Sequence, residues 1–197
     1  MRYMSSYEDI LKPSSSALIV WDVQNMLVQG IFNREEFMNS LNKLISSARS
    51  SNVPIFYTKI TPLPDRFESP ARKFILSRWG SRGSWGQDPS LYELAVKPEK
   101  NEIVINKNTA SIFVGTNFEL MVRNAGITTL VFTGIATEIG VESSARDAFN
   151  LGFYPIIAED AVSSYDKEAH ERSLANMRKM FIVMKSEDII NYWKRLK

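Results

Sequence analysis

Cysteine is absent from the 197 residues of this chain, which excludes disulfides, thiolate metal sites and thiol nucleophiles together. No apolar run approaches the roughly 20 residues that span a bilayer. Residues 1–13 are polar and mixed in charge, unlike a secretory leader, so the expectation is a cytoplasmic protein. Charge of one sign is also missing: 24 Lys and Arg face 22 Asp and Glu, a net +2, and the basic residues are dispersed. That composition predicts neither nucleic-acid nor membrane-surface partners. No repeat, low-complexity tract or linker interrupts the sequence, and 44% apolar residues suffice to bury one core. A single domain over 1–197 is expected.

What is present alternates. Strand patterns at 16–22, 53–58, 102–106, 128–133, 153–158 and 180–184 are separated by helical ones. Phe37, Leu41, Leu44, Ile45 and Ala48 mark one apolar helix face, and Phe118, Met121, Val122 and Ala125 another. Gly126 and Gly152 stand where left-handed helix ends are wanted; Pro54 and Pro155 fall near strand starts. The order predicts an α/β fold: three layers, α/β/α, around a mostly parallel, Rossmann-like sheet of about six strands.

The most informative stretch is Thr133-Gly134-Ile135-Ala136-Thr137-Glu138-Ile139-Gly140-Val141-Glu142-Ser143-Ser144-Ala145-Arg146-Asp147-Ala148. The run 128–133 is β-branched and apolar without alternation, as in a strand covered on both faces, and Val141, Ala145, Ala148 and Phe149 then recur at helical spacing. Backbone N–H groups at such a helix start can hold an anion. Two further strands end in ionisable residues: Ala17-Leu18-Ile19-Val20-Trp21-Asp22-Val23-Gln24-Asn25 and Ile103-Val104-Ile105-Asn106-Lys107. Ligands of open parallel sheets bind beyond the carboxyl ends of strands, where Asp22, Lys107 and the turn after Thr133 converge. Such a pair serves either as acid and base or as a buried ion pair locking two strands.

In this order and over residues 16–185, the three motifs resemble the isochorismatase-like hydrolase superfamily, also called cysteine hydrolases, which includes nicotinamidases, carbamoylsarcosine-type amidohydrolases and isochorismatases. The resemblance implies a small-molecule hydrolase with Asp22 and Lys107 as its acidic and basic residues. It also implies oxyanion-binding amides at Ala136 and Gly140, a non-proline cis peptide at Ile135-Ala136, and a homo-oligomer, dimer or tetramer.

Gly140 departs from the pattern, because most members carry the nucleophilic Cys there. Glycine cannot attack a carbonyl, so the thioester route is closed. Ser143 and Ser144 are poor substitutes, one turn into the helix and without a histidine beside them. Isochorismatases resemble this chain in lacking the thiol; they cleave a vinyl ether by protonation and water attack. In that reading Asp22 is the acid, Lys107 steadies its charge, and the amides of Ala136 and Gly140 hold negative charge. The stretch Tyr57-Thr58-Lys59-Ile60-Thr61-Pro62 lacks the Gln that many isochorismatases present there, which weakens isochorismate as the substrate.

No cofactor is expected. Nor is a metal, since the loop after the second strand offers Asp65 and Glu68 but no histidine, unlike nicotinamidase-like members; an amidase using activated water therefore ranks last. His170, the only histidine, shares a helix face with Leu174 and Met177 and reads as packing. Residues 65–91 concentrate Arg66, Arg72, Arg78, Arg82, Trp79 and Trp85. They form either a cover over the site that binds a small planar or cyclic anion, or else a subunit interface or a solvated helix. Gln24, Trp79, Arg82 and Trp85 are candidate pocket residues, and Glu138 is either a helix cap or a fifth. Arg146 and Asp147 are expected to brace packing.

The alternative function is a catalytically silent member that binds a small ligand or a protein. A site near Asp22 filled by side chains would favour it; an open polar one would favour the enzyme.

Overall fold

The computed structural model describes residues 6–61, 63–78 and 88–196. Its strands are β1 (Ser16–Trp21), β2 (Ile55–Ile60), β3 (Ile103–Lys107), β4 (Thr129–Ile135), β5 (Tyr154–Ser163) and β6 (Ile182–Met184). They lie in the order β3-β2-β1-β4-β5-β6, and every neighbouring pair is parallel. The chain winds outward from β1 to β3, then returns to the other side of β1 as β4. That reversal opens a crevice at the carboxyl ends of β1 and β4. The helices are α1 (Tyr7–Ile10), α2 (Asn25–Val28), α3 (Arg34–Ser50), α4 (Pro70–Arg78), α5 (Phe118–Asn124), α6 (Glu142–Asn150), α7 (Lys167–Met177) and α8 (Ser186–Arg195).

Strand alternation divides the core in two. Leu18 and Val20 of β1 pack with Phe37, Leu41, Leu44 and Ile45 of α3 and with Ile189 and Trp193 of α8. Ala17, Ile19 and Trp21 face the opposite layer, with Phe118, Val122, Val141, Ala145 and Leu174. The three-layer α/β expectation is met.

Several boundaries differ from the sequence expectation. β2 begins at Ile55, because the Val53 N–H still closes the end of α3 by donating to the Ala48 carbonyl at 2.9 Å. Ala125 is exposed rather than part of the apolar face, since α5 ends at Asn124. β5 runs on to Ser163 through Glu159 and Asp160, which look like loop residues in sequence. Both carboxylates have partners there: Glu159 pairs with Lys185 at 3.0 Å and also with Arg178. Asp160 accepts from the Ser186 N–H and Oγ, each at 2.7 Å, at the start of α8. Gly126 and Gly152 have φ of 70° and 85°, the left-handed ends anticipated for α5 and α6.

Candidate active site

β1 ends at Trp21, and the next residue, Asp22, takes a left-handed backbone with φ 47°. Its side chain meets Thr58 of β2 and Lys107 of β3. The Asp22 N–H donates to Thr58 Oγ1 at 2.9 Å, and the same hydroxyl donates to Asp22 Oδ1 at 2.5 Å. Lys107, the last residue of β3, reaches across β2 and places Nζ 2.6 Å from Asp22 Oδ2. It also donates to the Thr109 carbonyl at 3.2 Å and lies 3.8 Å from the Trp21 ring centroid. Asp22 is 4% exposed and Lys107 2%.

Burial pushes the Asp22 carboxyl above its usual 3.8, with Lys107, Thr58 and Arg72 pulling it back. Burial likewise pulls Lys107 below 10.5, opposed by Asp22 and assisted by Arg72. Both directions have one cause, the desolvation of a charged form, which the partner opposes in each case. Thr58 and Arg72 were not singled out for the site in the sequence. Thr58 becomes legible only once β2 is known to lie between Asp22 and Lys107. Arg72 belongs to the Arg-rich segment; its guanidinium donates to the Asn108 carbonyl at 3.4 Å and pairs with Glu68 at 3.6 Å. Glu68 is thereby ion-paired, as is Asp65 with Lys73 at 2.6 Å. Trp79, Arg82 and Trp85 lie outside the described residues.

After β4 the Ile135-Ala136 peptide is cis. One wide turn, Thr137–Val141, then leads into α6, with the Val141 N–H donating to the Ala136 carbonyl at 3.3 Å. The Gly140 N–H also donates to the Ala136 carbonyl, at 3.1 Å, so this amide closes the turn rather than standing ready for an anion. A Cβ at Gly140 would fall inside the Trp21 indole, overlapping Nε1 and Cε2. The volume a side chain would need at position 140 is therefore taken up by a tryptophan.

Two other candidates, Glu138 and Gln24, have partners the sequence did not suggest. Glu138 caps no helix; the wide turn carries its carboxylate to the Ser164 hydroxyl, which donates at 2.7 Å. Gln24 has its amide engaged at both ends. It is 0% exposed, its Oε1 accepts from the Ile60 N–H at 2.9 Å, and its Nε2 donates to the Tyr92 carbonyl at 2.7 Å. It clamps the end of β2 to the 88–94 segment. The serines are engaged as well, Ser143 donating to the Ile139 carbonyl at 2.6 Å and Ser144 Oγ accepting from the Ile112 N–H at 3.2 Å. Arg146 pairs with Glu142 at 2.6 Å, bracing α6.

His170 is buried on α7, with Nδ1 2.8 Å from Thr137 Oγ1 and its ring edge-to-face with Phe32. Burial holds its pKa below 6.5. On acidification the unfolded chain therefore takes up this proton first, and stability falls as pH drops below 6.5. His170→Gln should flatten the decline in Tm below pH 6.5, and identical slopes in parent and variant would remove His170 as its source.

The model of the isochorismatase domain matches residues 16–188. The chain belongs to the isochorismatase family. The isochorismatase family protein YecD of Escherichia coli O157:H7 is 32% identical over 192 residues, covering 92% of this chain and 97% of that protein. The ureidoacrylate amidohydrolase RutB of Methylobacterium radiotolerans is 32% identical over 199 residues, covering 87% of this chain and 76% of RutB. A solved cysteine hydrolase from Pseudomonas syringae pv. phaseolicola 1448A superposes with a TM-score of 0.84 at 19% identity, covering 94% of this chain and 95% of that one. At that identity the likeness establishes the shared fold. Isochorismatase-family proteins are hydrolases of small molecules, and this chain is a hydrolase of that family. Among the described residues no helix is long and apolar enough to cross a membrane.

Proposed function

We propose that this isochorismatase-family hydrolase cleaves its substrate without a covalent enzyme intermediate, with Asp22 as general acid. The observation that carries the reading is the buried Asp22 carboxyl. It is hydrogen-bonded on both oxygens, beside Lys107, at a position where the chain supplies no nucleophile of its own. A carboxyl pushed upward by burial retains its proton to higher pH, as a general acid must.

For a vinyl ether the steps balance. Asp22 protonates the terminal alkene carbon, leaving an oxocarbenium ion and a carboxylate held by Lys107. Water adds to the cationic carbon and returns a proton to Asp22. The hemiketal then separates into a ketone and an alcohol. Arg72, whose charge acts on both Asp22 and Lys107, would bind an anionic group of the substrate, a role the engaged Gly140 amide is less fit to fill. RutB is named as an amidohydrolase, so small amides form the second substrate class to test.

A second reading has its own observation. Asp22 and Lys107 are nearly inaccessible and the Trp21 ring fills the space over Gly140, as in a member that has become a binding protein. The test is a hydrolysis screen of vinyl ethers, including isochorismate, and small amides, in chelator-treated buffer, with Asp22→Asn and Lys107→Ala in parallel. Turnover by the parent that both substitutions abolish supports the acid. No turnover on any compound, with parent and folded variants binding ligands alike, favours the binding protein.

A further inference from the structure

Trp21 is held from three sides. Its backbone runs beside β4, where Gly134 has φ 109° and a Cβ would collide with the Trp21 carbonyl. Its indole lies over Gly140, which has room for no side chain. The ring face lies 3.8 Å from the Lys107 ammonium, and the whole residue is 2% exposed. The indole thus accounts for the glycine at 140, while Gly134 answers to the Trp21 backbone and to its own positive φ.

The surroundings of Lys107 explain what the ring contributes. Asp22 faces the ammonium from the end of β1, the Thr109 carbonyl from the loop after β3, and Arg72 on α4 adds a second positive charge. Asp22 answers the ammonium directly, while Arg72 has its own carboxylate in Glu68 at 3.6 Å. An aromatic face against a desolvated ammonium is attractive, and it fixes the direction from which the ammonium meets Asp22.

We propose that Trp21 is a positioning residue: seated on Gly140, its indole face holds the Lys107 ammonium against Asp22 and so sets the proton affinity of the pair. The proposal deepens the acid mechanism above and rests on it for its catalytic meaning, but its physical content can be read without a substrate.

The experiment combines a lysine-labelled NMR titration with a stability cycle. Trp21→Leu removes the π face, and Trp21→Phe keeps a smaller ring as the variant more easily accommodated in the fold. The Lys107 titration midpoint is expected to fall by about 0.5–1.5 units in Trp21→Leu and by less in Trp21→Phe. Gly140→Ala should lower Tm by several degrees in the parent and leave it unchanged or raised in the Trp21→Leu background. A Lys107 midpoint unmoved in both ring variants overturns the positioning role, and an equal cost of Gly140→Ala in both backgrounds overturns the seat. Failure of the acid mechanism reads differently, as absent turnover with the midpoint shift and the cycle intact.

Discussion

Lys107→Met is expected to cost the folded protein about 3–5 kcal/mol, measured by urea unfolding at neutral pH. The substitution keeps the volume of the stem but leaves Asp22, 4% exposed, without the cation 2.6 Å away. Thr58 remains as a hydrogen-bond donor and Arg72 as a more distant charge, neither equivalent to a direct ammonium. The loss should depend on pH with a definite sign. The folded Asp22 carboxyl already titrates above 3.8, and removing Lys107 raises it further. The folded state then holds a proton that the unfolded chain has released, so stability declines as pH rises above 3.8, over a wider window than in the parent. Below that window parent and variant should converge. Adding Asp22→Asn to Lys107→Met removes the stranded charge and should recover most of the loss. If Lys107→Met unfolds at the parental urea midpoint, the buried pair is not the tie between β1 and β3 that its geometry suggests.

Asp22→Asn should reduce turnover on the substrate identified in the screen by about 10²–10⁴, the span typical of a lost general acid. Asparagine preserves the shape and can still accept from Thr58, but it has no proton to transfer. KM should change little, because binding of an anionic substrate is assigned to Arg72. The parental kcat should fall as pH rises through the elevated Asp22 midpoint, since the acid works only when protonated. The residual activity of Asp22→Asn should lack that limb. A parental rate that instead rises through the same range would make Asp22 a base and overturn the vinyl-ether mechanism.

The layers, the parallel sheet and the strand ends carrying Asp22 and Lys107 were legible in the sequence. Unalternating β-branched runs such as 128–133 have few alternatives to a strand covered on both faces, and the 3.6-residue spacing of Phe37, Leu41 and Leu44 defines which side of α3 is buried. What was not legible depends on register between distant strands. Thr58 lies beside Asp22 because Ile19 pairs with Phe56 and Val20 with Tyr57, which no local pattern states. Trp21 reads as one more apolar strand residue until its pairing with Gly134 brings it to the turn that contains Gly140. The partners of Glu138 and Gln24 were hidden for a related reason. Polar residues at a strand end or helix start suggest a pocket or a cap, whereas here they bond to Ser164 and to the backbone of Ile60 and Tyr92.

Lys107 arrives on β3, an edge strand of the sheet, which pairs with β2 and leaves Ile103 and Val104 exposed. Edge ladders fray at lower free energy than central ones. Each such opening draws the ammonium away from Asp22 while β1, β2 and β4 remain assembled. Warming or mild denaturant should therefore silence the protein reversibly, in a state whose fold is largely intact, and activity should return on re-zipping one strand, without refolding the whole chain.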